Sequence, residues 1–217
     1  MTTTRFPRLN IRKMLTGDSH RISHVHRFSS LPVNRRENVA EHSWYVAFYS
    51  YLIGQDLQAQ GVEIDFGELL SRALLHDIDE SLTGDFLRYV KHDNSTLKQA
   101  LDDISLTMVG KMSKEVGVNL RPQWMDAKAD DTEGNIIKVV DLARVLSYVW
   151  EEHQTGNRHI DHIPAECVTH IVKFIEDFPD SPVTTYAQDI VIWAVHDLGV
   201  PSPGDHVLFG GGNAKDA

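Results

Sequence analysis

His42, the adjacent pair His76-Asp77, Glu80 and Asp141 are residues of the types that hold a metal ion or move a proton, and they fall on three separate segments of the chain. Imidazole nitrogens and carboxylate oxygens are common ligands of divalent cations. Two of each suit an octahedral Mn, Fe, Co or Mg site, or Zn with relaxed geometry. Such a set leaves positions open for water and substrate, and a bound metal lowers the pKa of that water. Glu80 lies one helical turn beyond the His-Asp pair, on the same face, within reach of the water as a general acid or base.

Each of these residues interrupts an apolar stripe. Leu69, Leu70, Ala73, Leu74 and Leu75 read as buried, and then His76, Asp77, Asp79 and Glu80 arrive before the chain breaks at Thr83-Gly84-Asp85. Val39, His42, Val46, Tyr49 and Ile53 place His42 inside a second helix. Ile137, Asp141, Val145 and Tyr148 place Asp141 inside a third. A buried imidazole or carboxylate without a partner is costly, so polar groups on three buried faces are expected to converge on something shared. A divalent metal is the simplest such partner; a hydrogen-bonded polar core is the alternative. The dipeptide His-Asp alone carries little, since it recurs at His92-Asp93 and His196-Asp197. There, Asp93 or Asn94 reads as an N-cap, and Gly199 reads as a left-handed helix stop.

Helical periodicity dominates and no stretch alternates cleanly enough for a strand, so the fold class expected is all-α. The pattern predicts helices near 8–28, 38–60, 66–77, 95–117, 132–155, 164–178 and 183–198. Loops are expected at "SSLPVNRREN" and after Gly84, and Asp130 or Asp131 is the expected cap of the helix that follows. At 217 residues the chain has the size of one domain, read as 1–200, with the Gly/Pro-rich 201–217 as a poorly ordered tail.

The formal charge of −10 argues against a general nucleic-acid binder, because the average field repels a polyanion. A small phosphorylated ligand held by a few local cations remains compatible with it. No apolar run approaches the roughly 20 residues of a membrane helix, and the start lacks an apolar signal segment. The single Cys167 cannot form an internal disulfide, so a cytoplasmic setting is expected. Trp44, Tyr45 and Trp150 are candidates for a homo-oligomer interface, with core packing as the alternative.

In the order distant His, His-Asp, distant Asp, residues His42, His76, Asp77 and Asp141 resemble the pattern of the HD-domain metal-dependent phosphohydrolases. More narrowly, the chain resembles their bacterial 5′-deoxynucleotidase branch, through Arg27-Phe28, "ENVAEHS" at 37–43, "HDIDESLTGD" at 76–85 and "VVDLARVLSYVWEEHQTGN". The resemblance covers roughly residues 20 to 157. It implies an HD-type helical bundle and one divalent metal ion (Co, Mn, Zn, Fe or Mg) held by His42, His76, Asp77 and Asp141. It also implies catalysis by Asp77 and Glu80, a sugar contact from Asp85 and a phosphate contact from Arg27. Arginine suits the last role because its fork donates two hydrogen bonds. Dinuclear relatives add two histidines between the His-Asp pair and the last Asp; here only His92 intervenes, so one metal is expected.

Two departures bear on the substrate. Phe28 stands where the family often has Trp, which keeps an apolar wall and removes the indole donor. After "TGD" the chain reads "FLRYVK", which offers Arg88 and Lys91 as additional cations for the substrate, with a solvated loop charge as the alternative for Arg88. The implied activity is removal of the 5′-phosphate from deoxyribonucleoside monophosphates. A runner-up is release of triphosphate from deoxynucleoside triphosphates such as dATP, the activity of related phage enzymes, for which Arg35, Arg36 and Arg88 would be suited. A non-catalytic nucleotide sensor is the competing class, and Glu80 argues against it, since a binding site has little use for a spare carboxylate. A helical interaction protein with a satisfied polar core is the third reading.

Overall fold

The computed structural model describes residues 8–86 and 95–204. It is all-α. In order come α1 (Ile11–Thr16), a 3-10 segment (Asp18–His24), α2 (Val39–Ala59), α3 (Phe66–Leu75), α4 (Glu80–Thr83), α5 (Ser95–Val116) and α6 (Arg121–Met125). A second 3-10 turn (Asp126–Lys128), α7 (Thr132–Gln154), α8 (Ile163–Asp177) and α9 (Thr184–Leu198) complete the order. The β-pairing among the described residues is one isolated antiparallel bridge, His26 with Asn38.

The longest of these helices, α7, is the axis of the molecule. Ile136, Ile137, Val139, Val140, Leu146, Tyr148 and Val149 are buried around its circumference, and α2, α3, α8 and α9 pack against it. Full burial of each such side chain favours the fold by about 1.5–3 kcal/mol. A smaller cluster of Ile78, Val109 and Met112, with Leu75, Leu82 and Trp124 packed on it, joins the end of α3 to α5 and α6. The two apolar clusters lie on either side of the segment that carries His76 to Glu80.

Local chemistry sets the helix starts. Asn38 Oδ1 accepts from Glu41 N at 2.9 Å, which opens α2 one turn before His42. Asp65 Oδ1 takes Gly67 N and Glu68 N at the start of α3. Asp131, rather than Asp130, caps α7 by accepting from Gly134 N at 2.8 Å, while Asp130 pairs with Lys138 instead. Gly199 ends α9 in the left-handed conformation, φ 67°, as its sequence context predicts.

Two sequence expectations are corrected. The stretch 8–28 is not one helix, because Gly17 breaks it in an extended conformation and the following residues wind as 3-10. Val25 to Phe28 then leave the helical path so that Arg27 N can bond Glu37 O at 2.9 Å and Val39 N can bond Val25 O at 2.9 Å. Leu74 is half exposed rather than core, and Leu70 and Leu75 are only partly buried; the α3 stripe is narrower than its leucines suggest. The expected cap at Asp93 or Asn94 lies outside the described residues.

Candidate active site

His42 from α2, His76 and Asp77 from the turn after α3, and Asp141 from the middle of α7 come together, with one ligand atom from each lying within 4.8 Å of the others. His76 Nε2 is 3.3 Å from His42 Nε2 and 3.0 Å from Asp77 Oδ2. His42 Nε2 is 3.1 Å from Asp141 Oδ1 and 3.7 Å from Asp77 Oδ2. The Nδ1 of His76 donates to Ala73 O at 2.7 Å, which fixes its tautomer and leaves Nε2 as the inward-facing atom. Two imidazole nitrogens and two carboxylates thus face one point, and a divalent cation fits the donor set.

Burial and neighbouring charge tune these groups. Burial, then the charge of Arg27, pushes the His42 imidazole down to about 3, so it stays neutral, as a ligand must be. Burial by itself would raise Asp77, but His76 outweighs it and holds the Asp77 carboxyl well below the usual range. For Asp141, burial is likewise outweighed by Lys128, whose Nζ lies 2.8 Å from Asp141 Oδ2, and by the histidines. Both carboxylates are ionised. The His42, His76, Asp77 and Asp141 group is the one cluster of its kind among the described residues.

Glu80 opens α4 one turn beyond Asp77 and lines the cavity that the cluster faces, a space of about 160 Å³. Its Oε2 is buried without a hydrogen-bond partner. Burial first, then the nearby charge of Asp77, pushes its pKa well above the ordinary glutamate value despite the opposing Arg27. Asp79, its neighbour, has a different fate: it accepts from Ser105 Oγ at 2.6 Å and Trp124 Nε1 at 2.9 Å and is a structural carboxylate.

Arg27 is largely buried beside the cluster, with Nη1 3.6 Å from Asp77 Oδ2, and its backbone is bound to Glu37. Phe28 follows at φ 54°, in the left-handed region that a bulky side chain seldom adopts. Two contacts hold it there: Phe28 N donates to Asp85 Oδ2 at 3.1 Å, and its ring stacks on Tyr148 at 5.1 Å. Asp85 can be delivered because Gly84, at φ 80° and ψ 165°, occupies backbone space essentially reserved for glycine. Arg27, Phe28, Glu80 and Asp85 all line the cavity with Asp77 and Asp141. Arg88 and Lys91 lie outside the described residues.

Three features were not legible in the sequence. Lys128, on the turn before α7, reaches Asp141 thirteen positions along the chain, and no periodicity marks it. Ile163 and Cys167 on α8 also line the cavity, and nothing in their local pattern marks them. Glu37 pairs with buried Arg144 and not with Arg36, which is exposed. Arg35 is taken up by Glu41 and Glu151, and neither Arg35 nor Arg36 lines the cavity.

Comparison with known proteins agrees with this geometry. Residues 17–191 match the family model described as 5′-deoxynucleotidase YfbR-like. Among curated relatives, the 5′-deoxynucleotidase HDDC2 of Dictyostelium discoideum is 30% identical over 136 residues, covering 56% of this chain and 68% of that protein. A 5′-deoxynucleotidase of Shewanella oneidensis is 30% identical over 128 residues, 57% of this chain and 66% of its own length. The fold is shared with an HD-domain phosphohydrolase from Listeria innocua at TM-score 0.66 and 20% identity, covering 87% of this chain and 96% of that one. It is also shared with the cyanophage S-2L HD phosphohydrolase DatZ, a structure with dA and one catalytic Zn²⁺, at TM-score 0.55 and 20% identity, covering 83% and 94%. An all-α bundle with His, His-Asp and Asp at one point, the fold of the HD-domain phosphohydrolases, and a family match spanning most of its length make this chain a member of the YfbR-like 5′-deoxynucleotidase family.

Proposed function

We propose that the protein removes the 5′-phosphate from deoxyribonucleoside monophosphates by metal-dependent hydrolysis. The observation that carries this reading is the convergence of His42, His76, Asp77 and Asp141, of which Asp77 and Asp141 line a cavity shared with Arg27 and Glu80. The four residues would hold one divalent ion of the Co, Mn, Zn, Fe or Mg group. Such an ion supplies an acidified water and charge neutralisation for phosphate. Arg27, fixed by its backbone bond to Glu37, presents a guanidinium to the phosphate. Lys128 adds a second positive charge at the same wall. Burial and the charge of Asp77 favour the protonated form of Glu80, whose Oε2 lacks a hydrogen-bond partner, so it is equipped to protonate the leaving 5′-oxygen. Asp85 would meet the sugar, and Phe28, backed by the stacked Tyr148 ring, gives that wall an apolar face.

The runner-up, triphosphate release from a deoxynucleoside triphosphate, loses the support of Arg35 and Arg36, which are engaged or exposed away from the cavity. A non-catalytic sensor would leave the unpartnered Glu80 without a role. The deciding experiment incubates metal-stripped protein with Mn, Co, Mg or Zn and a panel of deoxy- and ribonucleoside mono- and triphosphates, with Asp77→Ala as control. Phosphate from deoxynucleoside monophosphates is the expected product. Triphosphate from a dNTP moves the assignment to the runner-up, and no product under any metal leaves a binding protein. Metal analysis is expected to give one ion per chain; two tightly held ions would overturn the mononuclear reading.

Among the described residues no helix is long and apolar enough to cross a membrane. A cytoplasmic setting is proposed on the single, buried Cys167, which suits a reducing compartment. A homo-oligomer is proposed on the outward face of α2, where Trp44, Phe48, Tyr51 and Leu52 are exposed and Trp44 stacks on Phe48. Light scattering at the monomer mass would remove that proposal.

A further inference from the structure

The loop before α2 carries a carboxylate for which no role has yet been given. Glu37 is 1% exposed, and its Oε1 accepts from Arg144 Nε at 2.8 Å and from Arg144 Nη2. Arg144 is itself fully buried and immobilised: Nη1 donates to Glu151 at 2.7 Å and Ser147 at 3.1 Å, and its guanidinium lies 4.0 Å from the Tyr45 ring centroid. One oxygen of Glu37 is therefore fixed, and the other is aimed at the active site. Glu37 Oε2 lies 3.9 Å from His42 Nδ1 and 3.9 Å from Arg27 Nε. All three atoms are buried, and none has a hydrogen-bond partner. Three such atoms facing one another are rare in a folded interior, where buried polar groups are paired.

The two histidines of the cluster differ in one respect. His76 has its Nδ1 proton on Ala73 O, so its Nε2 is free to face a metal. His42 needs the same tautomer to offer Nε2, and the acceptor facing its Nδ1 is Glu37 Oε2. We infer that Glu37 is the positioning residue of His42: when Nε2 holds a metal, the Nδ1 proton is donated to Glu37 Oε2, after an approach of about 1 Å to hydrogen-bond distance. This rests on the reading that His42 is a metal ligand. The competing account makes Glu37 only the buried counter-ion of Arg144.

Glu37→Gln separates the two accounts. Arg144 keeps the amide oxygen on its own side, so the amide NH₂ is turned toward His42 Nδ1 and Arg27 Nε, donor against donor. His42 then relieves the clash by placing its proton on Nε2, where it blocks a metal. Two readouts on the full-length protein test this, neither using a nucleotide. The first is Zn²⁺ affinity by competition with a chromophoric chelator. Glu37→Gln is expected to weaken it by about 10- to 100-fold, while Glu151→Gln, which loosens the Arg144 network without facing His42, stays within about twofold of the parent. The second is proton NMR of the Zn²⁺-loaded parent, in which a downfield imidazole N–H assigned to His42 is expected beside that of His76.

Unchanged Zn²⁺ affinity in Glu37→Gln, or an equal loss in Glu151→Gln, overturns the role. Should Glu37→Gln fail to fold, the parent spectrum decides, since a Zn²⁺-loaded protein without the downfield His42 N–H contradicts it directly. A parent that binds no Zn²⁺ overturns both this role and the metal reading beneath it. A parent that shows the signal and the affinity pattern but hydrolyses no nucleotide upholds Glu37 and sinks only the proposed substrate.

Discussion

Within the run His76 to Glu80, five consecutive side chains go to four different places. His76 and Asp77 join the cluster with His42 and Asp141, Ile78 enters the smaller apolar cluster, Asp79 is satisfied by Ser105 and Trp124, and Glu80 is left partnerless at Oε2 in the cavity. Within this run only Glu80 combines a raised pKa with access to that cavity, and the proton-transfer role is proposed for it on that ground. Glu80→Gln is expected to lower kcat by about 10²- to 10⁴-fold while Zn²⁺ affinity, read by chelator competition, is retained. Its stability has a matching signature in metal-stripped protein. Below the ordinary glutamate pKa both folded and unfolded chains hold the proton, and Gln and Glu are equivalent. As pH rises, the unfolded chain ionises first, because the folded-state pKa is the higher one, and the parent loses stability that Gln keeps. Glu80→Gln should therefore melt at a higher temperature than the parent at pH 8, with the gap closing toward pH 4. Equal melting temperatures at pH 8 would contradict a buried, proton-holding carboxyl.

At the scale of elements, the site depends on two short segments held against each other. The Arg27-Phe28 segment is bridged to the start of α2, and the Gly84-Asp85 turn ends α4 and grips Phe28 N. The loop at 34–35 is lashed to α7 by Glu152, which accepts from Asn34 N and Arg35 N at 2.7 Å each and from Asn157 Nδ2. The motif residues Glu152 and Asn157 thus act in support of the site and not in its chemistry. A Cβ at Gly84 meets no neighbour within 4 Å, so the cost of Gly84→Ala is conformational alone, about 1–3 kcal/mol. Relief of that strain moves Asp85, and with it Phe28 and Arg27. The expected result is a fall in kcat/KM of about 10- to 100-fold with Zn²⁺ affinity unchanged. Loss of metal binding in the same variant would place Gly84 in the framework of the cluster instead.

Across the whole molecule, the cluster joins α2, the end of α3 and α7, which makes a bound ion a tie between helices that already share the main core. A ligand that binds only the folded state at 100 times its Kd stabilises by about 2.7 kcal/mol. For a chain of this length that is roughly 5–11 °C in melting temperature. Adding Zn²⁺ to metal-stripped protein is expected to give a rise of that order, reversed by chelator and abolished in His76→Ala. No rise in the parent would mean that the four side chains form only a hydrogen-bonded core.

The sequence by itself determined the helical class, the extents of α2, α3, α5, α7, α8 and α9 to within a few residues, and the four inward-facing ligand candidates. Period-3.6 burial is written locally, and a His or Asp on a buried stripe stands out against it. Tertiary structure alone decided the rest. Gly17 and the Val25–Phe28 pairing replaced the expected first helix, because the bridge partners lie a dozen residues away and leave no local pattern. Glu37 and Lys128 were ordinary charged loop letters until folding placed Arg144 and His42 beside the one and Asp141 beside the other. A charge acquires its meaning from what it is buried against, and burial between distant segments is a property of the packed chain.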